Sequence, residues 1–197
     1  MENNTEDFSP EKSLALIQTM IDKTRDSVAD KSFYFLLWGW LVFVAALLQF
    51  VLKVHFHSPN HPVAWNLMFV GAIVSALYSR KERGKKRVKT YVDDSIRYLW
   101  IAVGICQGLF IFIFARNGNW QDCYTFFMLL YGLGCFITGS ILKFPPLVWG
   151  AVASWMLVIL STFTTYDQNI LLLAVAILVS YIIPGYLLRR EHQRSHH

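Results

Sequence analysis

His55, His57 and His61 put three metal-capable side chains within seven residues. Imidazoles at that spacing could hold a divalent cation, but no Cys, Asp or Glu stands nearby to complete a site, and Pro59 and Pro62 stiffen the segment. Asp93 and Asp94 are adjacent, a pattern that suits a solvated helix start beside a basic run better than acid–base work. Cys106, Cys123 and Cys135 show neither paired nor Cys-His metal spacing, and an odd count gives no disulfide framework. There is no Gly-rich phosphate loop, no His-Glu-x-x-His and no Ser in a nucleophile-elbow setting. No catalytic residue, cofactor or metal is therefore assigned, and the reading leans away from an enzyme.

The remaining candidates are polar groups inside apolar stretches. Asn66, Gln107, Thr138 and Ser140 head this set, with Ser75, Ser154, Ser161, Thr162 and Ser180 behind them. In hydrocarbon such groups bond to a neighbouring helix or to their own backbone turn. Asn66 and Gln107 carry the larger heads and are the candidates to line a polar cavity. The apolar stretches hold almost no ionisable residue, which disfavours a proton or ion pump, because such proteins couple through intramembrane charge. Gly104 and Gly108 form a Gly-x-x-x-Gly pair, and Gly132, Gly134 and Gly139 open a second face. Small residues at these spacings let helices approach closely, so Gly104, Gly108, Gly132 and Gly139 are candidate packing positions.

These groups must be positioned by long apolar blocks. The chain is 55% hydrophobic and 16% charged, with seven Trp and fifteen Phe among 197 residues. A typical soluble domain carries about 25% charged residues. The apolar residues come in blocks long enough for a helix to cross roughly 30 Å of hydrocarbon, and they do not alternate as barrel strands would. The predicted fold is all-α: a polytopic six-transmembrane-helix bundle preceded by an amphipathic helix. The spans fall near 33–52, 63–78, 96–115, 123–142, 147–163 and 170–188. The first thirty residues are polar and show no cleavable signal, so the first apolar block is expected to be a retained helix.

Ahead of the spans, residues 1–9 read as disordered. Over 10–31, Leu14, Ile17, Ile21 and Val28 lie near one helical face, and Lys12, Asp22, Lys23, Arg25 and Asp26 occupy the others. Ser9 and Pro10 suit the helix start. After the spans, residues 189–197 form a basic, polar tail. Pro145-Pro146 and Pro184-Gly185 mark breaks or kinks.

With the N-terminus inside, sixteen of the eighteen Lys and Arg fall on one side, leaving only Lys53 and Arg116 outside. That bias places both termini in the cytoplasm. The Arg80–Lys89 run is expected to meet anionic headgroups, and the charge placement gives no reason to invoke nucleic acid.

Two further patterns are visible. Leu36-Leu37-Trp38-Gly39 parallels Leu129-Leu130-Tyr131-Gly132, and Phe43 parallels Phe136. Pro62 and Trp65 parallel Pro146 and Trp149. Two odd-numbered halves related this way would be inverted, as in many transporters. Separately, Phe33-Tyr34-Phe35-Leu36-Leu37-Trp38-Gly39-Trp40, preceded by Leu14-Ala15-Leu16-Ile17-Gln18-Thr19-Met20-Ile21, resembles a group of small multi-pass inner-membrane proteins of Bacteroidota. The resemblance implies an inner-membrane location and carries no activity or site residue with it.

The leading expectation is a non-enzymatic interaction, scaffold or regulatory protein working through its cytoplasmic face. Residues 10–31 would meet a protein partner or a second copy. The alternatives are a small transporter or exporter of two inverted three-helix halves and, more weakly, an intramembrane enzyme.

Overall fold

A computed structural model describes residues 33–83, 91–118 and 120–194. The expected amphipathic helix over 10–31, residues 1–9, most of the Arg80–Lys89 run and the last residues of the tail lie outside the described residues. Within them the protein is all-α, a multi-pass membrane bundle. Five helices are long and apolar enough to cross a bilayer, and a sixth, Pro145–Ser161, is shorter and also apolar.

Helix α1 is Phe33–His55, its last turn relaxing into a π-turn at Val51–His55. Helix α2 opens with a 3-10 turn, His61–Asn66, and continues as Leu67–Arg83. Helix α3 is Tyr91–Asn117, α4 is Cys123–Ile141 and α5 is Pro145–Ser161. Helix α6 runs from Tyr166–Ile177 through a π-turn at Leu178–Ile182 into Ile183–Arg194.

Local chemistry sets several of these ends. Pro145 and Pro146 fall in the first turn of α5, where a missing amide proton leaves nothing unpaired, so the helix begins at the prolines and Phe144 caps it. Thr165 and Gln168 form a reciprocal capping box that starts α6 at Tyr166. At the end of α4, the amide of Phe144 reaches back to the Gly139 carbonyl and that of Lys143 to Ser140, with Lys143 at a left-handed φ of 52°. The buried Phe144 ring closes this C-terminal turn.

The π-turn in α6 has an identifiable cause. Pro184 has no amide proton for the Ser180 carbonyl, four residues back. The helix widens one turn earlier, and the Cys135 thiol of α4 donates to that carbonyl at 3.5 Å. The irregular backbone thus lies inside the protein, where a neighbour satisfies it.

Helix α4 is central. Its glycines are filled by bulky neighbours: Trp155 of α5 sits where a side chain on Gly132 would go, and Trp100 of α3 does the same at Gly134. Leu147 and Val148 press on Gly139 in the turn to α5. Gly150 lets α5 approach the backbone of Val179 and Ser180 in the π-turn of α6. Helix α1 buries Phe35, Val42, Ala45, Ala46 and Gln49 along one face and meets α6 where Gly39 touches Tyr181 and Ile182 and where Gly185 touches Leu36. The core is therefore α1, α4, α5 and α6.

Helices α2 and α3 lean on this core. Gly71 of α2 receives Leu41 and Trp38 of α1, and Phe33 stacks on Tyr78 at 4.2 Å between centroids. Helix α3 holds to α4 through Trp100 and through Phe110, which stacks on Phe126 at 4.8 Å. Only 11% of the most apolar stretch of either helix is buried, against 50% for α4 and 56% for α6.

Candidate functional site

The residues singled out from sequence do not converge. Asn66 is exposed at the end of the 3-10 turn. Gln107 lies against Tyr131, and among the described residues its buried Nε2 makes no well-formed hydrogen bond. Thr138 is fully buried and donates to the Gly134 carbonyl of its own helix at 2.7 Å. Ser140 is exposed and donates to the Phe136 carbonyl at 2.8 Å. Both hydroxyls are thus taken up by the preceding turn.

The glycine pairs separate in the same way. Gly132 and Gly139 sit in tight contacts, as described above. Gly104 and Gly108 are exposed, and a side chain added at either would meet nothing within 4 Å. The repeat-matched Gly39 and Gly132 meet non-equivalent neighbours, α6 for the first and α5 for the second. Trp65 is half-buried and hydrogen-bonded, whereas its counterpart Trp149 is 71% exposed.

A polar cluster does form, built mostly from residues that the apolar-block reading passes over. It lies where α1 ends, α2 begins and α4 and α6 start. Gln49 of α1 is its centre, a side chain only 1% exposed. Its Oε1 accepts from the indole Nε1–H of Trp65 and from the Tyr124 hydroxyl, each at 2.7 Å. Its Nε2 donates to His61 Nδ1 at 3.1 Å and, more weakly, to the Tyr166 hydroxyl at 3.4 Å. The Tyr124 and Tyr166 hydroxyls are 3.2 Å apart. One turn further along α1, Lys53 donates to Asp167 at 2.5 Å and lies 3.9 Å over the Tyr166 ring.

A second layer ties the adjoining turns. Asn169 accepts from Thr164 and donates to the Gln121 carbonyl, and the Gln121 amide donates to the Thr164 carbonyl. Thr125 and Ser161 hydroxyls meet at 2.8 Å. The periodicity of α1 places Gln49 on the buried face set by Val42 and Ala46, since residues three and four apart share a face. A lone amide on the buried face of an apolar helix is the one sequence signal that could have pointed to this cluster.

Chemically the cluster is a set of matched donors and acceptors. A buried amide that meets both its acceptor and donor capacity fixes the registry of the elements around it. Of the three histidines, His61 turns into the bundle, and His55 and His57 are exposed. Among the described residues no three His, Cys, Asp or Glu side chains converge as a metal site. Comparison with family models, with curated proteins and with solved structures found no match to this chain.

Proposed function

We propose that this chain is a non-enzymatic interaction protein of a bacterial inner membrane, with both termini in the cytoplasm, meeting its partner through the end of the bundle that carries Arg80, Lys143, Arg189 and Arg190. The observation behind this reading is a contrast between the two ends. At the Gln49 end, Gln49, Trp65, Tyr124 and Tyr166 are spent on each other and Lys53 is paired with Asp167, with Arg116 exposed at the end of α3. At the opposite end Arg80, Lys143, Arg189 and Arg190 are exposed. The Lys and Arg excess on that side supports a cytoplasmic assignment. The basic run Arg80–Lys89 suits anionic headgroups, and the apolar stripe of residues 10–31 suits a protein partner or a second copy.

A transporter of two inverted halves is the second reading. It draws on the pairing of α1 with α6 and of α3 with α4, an exchange that a two-fold relation between halves would produce. Against it stand the self-bonded Thr138, Ser140 and Ser180 hydroxyls, which offer no donor to a passing solute.

Site-specific photocrosslinking in intact cells tests the proposal. A photoreactive residue at Leu14 or Ile17 is expected to give a discrete protein adduct, and one at Phe56, exposed at the opposite end, is expected to give none. No adduct from 10–31, together with solute flux across proteoliposomes, would replace this reading with transport.

A further inference from the structure

We infer that the Gln49–His61 contact is a proton-sensitive latch, holding the start of α2 to the bundle when His61 is neutral and releasing it when His61 is protonated. The argument goes beyond the interaction reading and does not depend on which side of the membrane the latch faces.

An indole nitrogen can only donate. Because Trp65 Nε1–H points at Gln49 at 2.7 Å, the atom it meets must be the amide oxygen. The amide nitrogen therefore faces His61, and at 3.1 Å it must donate to a bare Nδ1. The ring is thus neutral, with its proton on Nε2. Protonation gives the imidazole a second N–H and sets it against the amide N–H of Gln49. Turning the Gln49 amide over does not help. Its nitrogen would then face the Trp65 indole, and although the Tyr124 hydroxyl can rotate to accept, the indole cannot. In either orientation two donors oppose each other in a buried place, where an unmade hydrogen bond is most costly.

The surrounding charges add to this. From α1, Lys53 faces His61 as a like charge. From α6, Asp167 faces it too, but its carboxylate is engaged by Lys53. Tyr124 of α4 and Tyr166 of α6 are the other titratable groups around the amide, and His55 and His57 precede it on the chain. The relief open to the protein is to carry the half-buried His61 ring, and with it the 3-10 turn, away from the amide. That movement must also release Ala64, which is buried, and Trp65, which stacks on Tyr124, whereas beyond the turn Phe69, Val70, Ile73 and Leu77 of α2 are exposed. An unperturbed imidazole titrates near pH 6.5, and partial burial, with the Lys53 charge, holds His61 below that, so the latch opens on the acid side of the ordinary value.

The test is a distance measurement by spin labelling on the full chain in nanodiscs. Labels go on Val63→Cys in the turn and Phe163→Cys in the α5–α6 connection, both exposed positions, with Cys106→Ala and dilution into unlabelled protein. The expected result is a narrow distribution at about pH 8 that lengthens and broadens at about pH 4.5, on either side of the ordinary imidazole range. His61→Gln, whose amide oxygen can accept from Gln49, should stay narrow at both. His61→Arg, a permanent cation, should be broad at both. An unchanged wild-type distribution across that range would overturn the latch. So would a His61→Gln protein that responds to pH as strongly as wild type, since another group would then be the switch.

Discussion

The two halves of this protein are both apolar and differently used. In α4, α5 and α6 every face that carries a glycine is filled: Trp155 on Gly132, Trp100 on Gly134, Leu147 and Val148 on Gly139, and the α6 backbone on Gly150. In α1, α2 and α3 only α1 is drawn into the core. Helix α3 carries its own glycine pair, yet Gly104 and Gly108 face open space. Apolar sequence states that a helix can sit in hydrocarbon, not whether lipid or protein will cover it. In a bilayer no hydrophobic force separates the two cases, and packing and hydrogen bonds decide. The packed half meets its bulky partners; the other half presents Ile101, Ile105, Leu109 and Phe112 outward.

Substitutions sharpen this contrast. The largest effect is expected at Gly150, where an added Cβ would lie 2.8 Å from the Val179 carbonyl and 2.9 Å from the Ser180 Cα, both backbone atoms that cannot swing aside. Gly150→Ala should lower stability by about 2–3 kcal/mol, the upper range for overpacking, read as the midpoint of unfolding in mixed micelles. Next comes Gln49→Leu, which strands the Trp65 indole, leaves the Tyr124 hydroxyl only Tyr166 and removes the partner of His61. A loss of about 1–3 kcal/mol is expected from unmade buried hydrogen bonds, and Trp65 should show greater quenching by a water-soluble quencher. The smallest is Gly108→Ala, which should be neutral or gain up to about 1 kcal/mol, since alanine is the better helix former where nothing is touched. If Gly108→Ala were as damaging as Gly150→Ala, α3 would have a packing partner on that face and the contrast would fail.

Much of the architecture could be read from the apolar blocks, because backbone amides in lipid must be satisfied within the segment and only a helix does that at this length. The ends were harder to place. The apolar run starts the last helix at Ile170, but the Thr165–Gln168 capping box starts it at Tyr166, between the spans read as 147–163 and 170–188. The break expected at Pro145-Pro146 falls just before them, between Ile141 and Pro145, and the prolines form the first turn of α5. Pro184 marked a kink, and the distortion falls one turn earlier, at Leu178–Ile182. The Gln49 cluster was not legible for a different reason. Gln49, Trp65, Tyr124 and Tyr166 lie in four separate elements, and of these the sequence singles out only Trp65, for the repeat. Antiparallel packing of α1 and α6, with α4 beside them, makes them neighbours. Gly132 and Gly108 make the same point from the other side, since equal residues at helical spacing were equal candidates and Trp155 separates them.

The central claim, a core of α1, α4, α5 and α6 with α2 and α3 lying outside it, is tested most directly by carbene footprinting from the lipid phase, using nanodiscs that hold one protomer each. The account predicts heavy labelling along Ile101, Ile105, Leu109 and Phe112 of α3 and protection of Met128, Cys135 and Thr138 of α4, which are fully buried. Comparable labelling of the two helices, or protection of that α3 face in an isolated protomer, would contradict it.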